Sequence, residues 1–277
     1  MAAHPRRSPT PRGRTSLLPR VRLDDELVSQ GFFRDRDEAM RSIMAGEVSG
    51  GGRRLTSPGE QVKPGIEVHV KGRIPYVSRG GLKLAGGLDA LGVDPTGLAC
   101  LDVGCSTGGF TDCLLKRGAA SVVSVDVGYA QFDWSLRHDP RVELLERTNI
   151  VDVATPERMG TIDLAVCDVS FTSVLAILDA VRALLCDTGS FLTLVKPQFE
   201  ADRTQVGEGG IVRDPAVWLE CLERVAGAFG EVGLAPQAAC ASPITGHKGN
   251  HEFLLLGTVA AESRPIDLEA VVGSVAS

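Results

Sequence analysis

Apolar positions in the first eighty residues recur first at helical spacing and then at strand spacing. In VRLDDELVSQG, Leu23, Leu27 and Val28 share one face of a short helix that Gly31 ends. RDEAMRSIMAGEV repeats the pattern. Asp35 is placed to cap a second helix, Ala39, Met40, Ile43 and Met44 form its apolar face, and Gly46 stops it. After glycine and proline turns, Ile66, Val68 and Val70 alternate as a strand. Further on the pattern changes to short continuous apolar runs. LACLDVG, SVVSVDV, RVELLE, IDLAVCDVS and SFLTLVK read as strands, with two more near 236 to 242 and 252 to 258. Helices are predicted from 109 to 117, near 130 to 137, from 173 to 185 and from 215 to 228. Apolar runs without polar alternation belong to strands covered on both faces. The expected fold is therefore α/β, a Rossmann-like doubly wound sheet with a small N-terminal α+β unit.

Charge divides along the same line. The net charge of −6 is the sum of +6 over residues 1–80 and −12 over residues 81–277. A basic module joined to an acidic scaffold suits an anionic partner bound by the first and chemistry carried by the second. Arg22, Arg34, Arg36, Arg41, Arg53 and Arg54 cluster on the small unit, either as a solvated basic face or as phosphate contacts. The first twenty residues hold five arginines, no acid and no apolar leader core, so residues 1–16 read as a disordered basic arm. No apolar run is long enough to span a membrane, and the seven cysteines form no C-x-x-C pair. A soluble cytoplasmic protein is expected, without structural disulfides or a metal.

Four strand ends carry candidate chemistry. LDVGCSTGGFTDCLL, 101 to 115, reads as strand, glycine-rich turn and helix, in which Gly104, Gly108 and Gly109 let backbone approach a ligand closely. It is neither G-x-G-x-x-G nor G-x-x-x-x-G-K-[ST], which disfavours a dinucleotide and a P-loop nucleotide. Asp126 ends the next strand, where a carboxylate can bind a ribose diol. Adenosylmethionine fits such a turn better than NAD, because no pyrophosphate needs cradling. Asp168 and Lys196 end the fourth and fifth strands and open on the same crevice. Lys83, beside two glycines, and Glu252, before an apolar strand, are placed to join them. Each has an ordinary alternative: a lysine reaching solvent where its strand ends, a helix cap, a linker lysine, a strand-edge charge.

Longer stretches carry a resemblance. Arg22 to Leu27, Gly31, Arg36, Ala39, Ile43, Gly46 and Val48 resemble the S-four-like RNA-binding module, with Asp35 and the Gly50–Arg54 turn as departures. VSRGGLKL, LDVGCSTGGFTD, VDVGYAQ, WSLRHDPRV, ERTN, CDVSF, LVKPQFE, QVGEGGIVRD and GNHEFLL resemble, in order, the TlyA (hemolysin A) family, whose catalytic half is FtsJ-like. The resemblance implies an S-adenosyl-L-methionine-dependent 2′-O-methyltransferase of cytidine in 16S or 23S rRNA, acting as a monomer on assembled subunits. It carries over a catalytic tetrad of Lys83, Asp168, Lys196 and Glu252. The cofactor set is Gly104, Ser106, Thr107, Gly108, Gly109, Asp126, Asn149 and Asp168, and the RNA contacts are Arg22, Arg36, Arg41 and Arg79. The implied domains are 17–73 for the S-four-like module, 74–84 for a linker, 85–262 for the methyltransferase and 263–277 for a tail. A ribose hydroxyl is a poor nucleophile until it loses its proton. Lys196 is the expected base, Lys83 steers ribose or phosphate, and the two carboxylates orient the amines. Two other readings stay open: the same fold acting on a non-ribosomal substrate, and a membrane-active hemolysin.

Overall fold

The computed structural model describes residues 20–276 except Gly52, Gly65 and Glu67. The expected basic arm, 1–16, lies outside the described residues. The chain forms two compact units that divide between Arg73 and Ile74.

The small unit packs two helices, Leu23–Ser29 and Arg36–Met44, with short antiparallel strands. Leu23, Leu27, Ala39, Ile43, Val48 and Val70 are fully buried in one core, whereas Met44, expected on the apolar face of the second helix, is 63% exposed. The Asp35 side chain accepts from Glu38 N at 2.8 Å and caps the second helix. Arg22 and Arg36 both grip the buried carboxylate of Asp24, Arg22 Nη2 at 2.7 Å and Arg36 Nε at 2.9 Å. Those two guanidiniums, expected as RNA contacts, therefore also tie the start of one helix to the start of the next. Together they hold the Asp24 carboxyl down at about 2 against the penalty of its burial. Arg41 is exposed.

The large unit is built on seven strands: β1 (Ala99–Val103), β2 (Ser121–Asp126), β3 (Val142–Glu146), β4 (Ile162–Cys167), β5 (Leu185–Val195), β6 (Leu234–Ala241) and β7 (Phe253–Val259). Their order in the sheet is β6-β7-β5-β4-β1-β2-β3, parallel except for β7, which runs antiparallel to both neighbours. The main helices are α1 (Gly80–Leu91), α2 (Gly109–Lys116), α3 (Leu178–Leu184), α4 (Pro215–Glu231) and α5 (Leu268–Gly273). Alternate residues of each strand feed two cores. Ala165 and Cys167 join Phe191, Val225 and Phe229 in one, and Leu164 and Val166 join Leu84, Leu114 and Leu194 in the other. That two-sided burial is why the strands read as unbroken apolar runs. β1 and β4 are adjacent although the chain passes through β2 and β3 between them. Their carboxyl ends form the switch point at which ligands of this fold bind.

Several segments differ from expectation. Residues 80–84, expected as the end of a linker, are the first turn of α1 and belong to the large unit. Glycine lowers helix propensity, and α1 has four. Packing explains three of them: a Cβ at Gly81, Gly86 or Gly87 would lie 2.3 Å from Tyr76 Cγ, 2.6 Å from Pro243 Cγ or 2.4 Å from Leu254 Cδ2. The helix near 130 to 137 is a single turn, Trp134–Arg137. The helix from 173 opens as a 3-10 turn, Val174–Ile177, and the chain passes straight from α3 into β5. Residues 263–277, expected as a tail, contain α5, whose Val272 is buried in the same core as α4. Among the described residues no helix is long and apolar enough to cross a membrane.

Candidate active site

The glycine-rich loop leaves β1 with three positive φ angles, 80° at Gly104, 47° at Ser106 and 94° at Gly108, and the two glycines adopt theirs without a Cβ penalty. The loop turns into α2. Beneath it lies a polar cluster that the sequence did not flag. Asp102 of β1 is wholly buried and accepts from Thr111 Oγ1 of α2 at 2.6 Å, and Thr111 Oγ1 lies 2.8 Å from Ser124 Oγ of β2. Asp102 Oδ1 has no hydrogen-bond partner. Burial, opposed by the Thr111 hydrogen bond, pushes this carboxyl up to about 7. At the end of β2, Asp126 Oδ2 accepts from Ser106 N at 2.8 Å and Oδ1 from Gly128 N at 2.6 Å. It has no cationic partner among the described residues, so its remaining lone pairs suit hydroxyl donors.

A cavity of about 680 Å³ opens at the strand ends. Its lining brings together all four expected charged residues, Lys83, Asp168, Lys196 and Glu252, with Gly104, Ser106, Thr107 and Gly109 of the loop. Lys196 Nζ lies 2.5 Å from Asp168 Oδ1 and donates to Ser170 Oγ at 3.0 Å. Lys83 Nζ, on the first turn of α1, donates to Glu252 Oε2 at 2.6 Å. Lys196 and Glu252 are 6% and 3% exposed, so these are buried ion pairs, the burden of which is offset only by close pairing. Gln198 Nε2 donates to Glu252 Oε1 at 3.3 Å. Gly246 makes room for that carboxylate: a Cβ there would fall 2.0 Å from Glu252 Oε1. The lysine that closes an apolar strand is thus neither solvated nor unpaired.

Other expected residues fall outside this lining. Gly108 packs against Leu136 and Phe132, and Asp126 lines a small neighbouring recess with Ser106, Gly128, Tyr129 and Glu146. Asn149 caps the turn after β3 by accepting from Val151 N at 3.1 Å and lines neither cavity. Arg79 reaches the lining, its Nη2 donating to Thr245 O at 3.1 Å. Sequence reasoning did not single out Ser170, Phe171, Phe199, Gln198, Lys248 or Asn250, all of which line the cavity. Phe171 is 93% exposed with φ of +65°, and its ring centroid lies 5.3 Å from that of Phe199. The Phe199 ring stands 5.8 Å from Lys196 Nζ. For Ser170, Phe171, Gln198 and Phe199 the only signal in sequence was adjacency to the strand ends, in CDVSF and LVKPQFE.

A sheet of this order, closed by an antiparallel strand and carrying a glycine loop after β1 and a carboxylate after β2, defines a Rossmann-like methyltransferase. The FtsJ-like methyltransferase family model matches residues 76–258, and the chain belongs to that family, in its TlyA (hemolysin A) group. It is 44% identical over 239 residues to the 16S/23S rRNA (cytidine-2′-O)-methyltransferase TlyA of Mycobacterium tuberculosis, covering 85% of this chain and 89% of that one. It is 38% identical over 235 residues to Hemolysin A of Brachyspira hyodysenteriae, covering 84% and 98% of the two chains. A solved structure of a candidate hemolysin from Streptococcus thermophilus shares 39% identity with a TM-score of 0.69, covering 93% of this chain and 96% of that one.

Proposed function

We propose that this methyltransferase uses S-adenosyl-L-methionine to methylate the ribose 2′-hydroxyl of cytidine in ribosomal RNA. The observation that carries the reading is the cavity itself. Two lysine–carboxylate pairs, each with one buried partner, line a single site that holds four cations (Arg79, Lys83, Lys196, Lys248) against two acids (Asp168, Glu252). The surplus of positive charge sits in the acidic half of the chain, where it favours an anionic substrate such as an RNA backbone. The Mycobacterium tuberculosis relative, named above as a 16S/23S rRNA (cytidine-2′-O)-methyltransferase, supports the same substrate.

The residues present fit the methyl donor. Asp126, with both oxygens held by backbone N–H groups and no cation beside it, matches a ribose diol. Gly104 and the 105–109 turn leave backbone for the donor's amino-acid end, and the cavity volume lies in the ordinary range for such ligands. When bound, adenosylmethionine supplies a methyl group activated by its sulfonium. The protein's part is alignment and proton transfer. Lys196 Nζ, once its own proton has passed to solvent, takes the hydroxyl proton, and Asp168 Oδ1 holds the ammonium that results. Ser170 Oγ fixes the direction of the amine. Lys83, anchored by Glu252, orients the ribose or its phosphate. The exposed Phe171 ring, with Phe199 behind it, offers a face on which the target base stacks. With adenosylmethionine bound there, the O–CH3 bond would form as the CH3–S bond broke. The test is methyl transfer to ribosomal subunits lacking the modification, with Lys196→Ala as the inactive control.

A further inference from the structure

One wall of the cavity is made of two loops stapled together. The Gly207–Ile211 turn is closed by Gly207 N donating to Ile211 O at 3.0 Å. The 245–250 loop is closed by Gly246 N donating to Asn250 O at 2.8 Å. Asn250 joins them: Nδ2 donates to Gly210 O at 2.9 Å and Oδ1 accepts from Val212 N at 3.0 Å. Lys248 adds a third link, Nζ donating to Gly209 O at 3.0 Å. Lys248 is exposed and stands at φ 57°, ψ 19°, in the left-handed region. A glycine would sit there without strain, whereas a side chain with a Cβ is strained. The link to Gly209 repeats what Asn250 already does, so holding the loops together does not explain why a strained position carries a lysine.

Charge supplies a reason. Of the four cations in the lining, Lys83 and Lys196 are neutralised by Glu252 and Asp168. Arg79 and Lys248 have no carboxylate partner among the described residues, and each is docked on a main-chain carbonyl, Thr245 O and Gly209 O. Both carbonyls belong to this stapled wall. A carbonyl holds a cation in place without cancelling its charge, and a phosphate oxygen binds it more strongly.

We propose that Lys248 and Arg79 form a phosphate seat at the rim of the cavity, which takes the RNA backbone phosphate flanking the ribose to be methylated. Lys248 is a substrate-binding residue in this account: it holds the flanking phosphate and adds affinity for RNA without taking part in the chemistry. The proposal rests on the rRNA reading above. Lys196 and Lys83 serve the reaction, while Lys248 serves the grip on the polymer.

The test compares Lys248→Met, Lys248→Arg and Lys248→Gly with the full-length protein, using small and large ribosomal subunits from cells lacking the gene. Read-outs are kcat and KM for methyl transfer, subunit affinity against salt, adenosylmethionine affinity by calorimetry, and unfolding in urea. Lys248→Met should raise KM about 10-fold with kcat within about 3-fold, and lower the salt slope by about one. Lys248→Arg should restore both. Lys248→Gly should lose RNA affinity as Met does while being no less stable than wild type, because it relieves the positive φ. A purely structural role predicts the reverse, a less stable glycine variant with RNA affinity falling only as folding does. An unchanged KM and salt slope in Lys248→Met, with the wild type active, would overturn the seat alone. A wild type that transfers no methyl to either subunit would overturn the functional reading and the seat with it.

Discussion

Asp102 titrates in a range where its effect on stability can be isolated. Its carboxyl is buried under the glycine loop and pushed up to about 7, against an ordinary value of 3.8. Between those values the folded protein keeps a proton that the unfolded chain has released. Stability from this group is therefore fully present below pH 3.8 and is lost as pH rises through 7, at about 1.4 kcal/mol per pH unit inside the window. From pH 4.5 to pH 8 the loss is about 3 kcal/mol. Asp102→Asn keeps an acceptor for Thr111 and removes the titration, so it shifts stability by an amount that does not vary with pH. Urea unfolding of both proteins at several pH values, with equal m values as a check, gives the difference directly, and the other titrating groups cancel in it. Wild type should lose about 3 kcal/mol relative to Asp102→Asn across that range. Parallel curves with a constant offset would show that Asp102 does not gain and lose a proton there, and the account of a neutral acid beneath the loop would fall.

Asp126→Ala should weaken adenosylmethionine binding by about 1 to 3 kcal/mol in calorimetry, the scale of a lost charged acceptor, and unchanged affinity would remove Asp126 from the donor site. Lys83→Met strands the Glu252 carboxylate in a buried setting and should cost about 3 kcal/mol of stability, while adding Glu252→Gln should return most of it; an undiminished single variant would mean that the pair is not buried in solution. Phe171→Ala should raise KM for RNA by about 10-fold or more, the equivalent of about 1 to 3 kcal/mol of base stacking, and leave the affinity for adenosylmethionine as it was. Equal loss of both would point to a collapsed site instead of a missing stacking face.

The sheet was legible because its strands are buried on both faces, so SVVSVDV and SFLTLVK carry no polar alternation to confuse them with edge strands. The strand ends were legible for the same reason: Asp126, Asp168 and Lys196 are charges at the limits of apolar runs, and a parallel sheet brings such limits to one side. The elements that escaped are those formed by packing against the pattern of the sequence. α1 holds glycines where Leu254 and other neighbours press close, and α5 is short and stabilised through Val272 against the core shared with α4. Pairing within the tetrad was not readable either. Lys83 and Glu252 are far apart in sequence, and only the antiparallel insertion of β7 beside β5 brings Glu252 to α1. Lys248 gave no signal at all, because its positive φ and its link to Gly209 depend on two loops meeting.

The central claim is that Lys196, held by Asp168 and Ser170, removes the proton from a ribose hydroxyl of ribosomal RNA. Its most direct test maps 2′-O-methyl groups on rRNA from subunits incubated with adenosylmethionine and either wild-type protein or Lys196→Ala, with donor affinity measured on both. The account predicts a new 2′-O-methylcytidine with wild type, none with Lys196→Ala, and donor affinities within a few-fold of each other. A methyl group placed on a base or at no ribose, or a Lys196→Ala protein that modifies the same position at the wild-type rate, would contradict it.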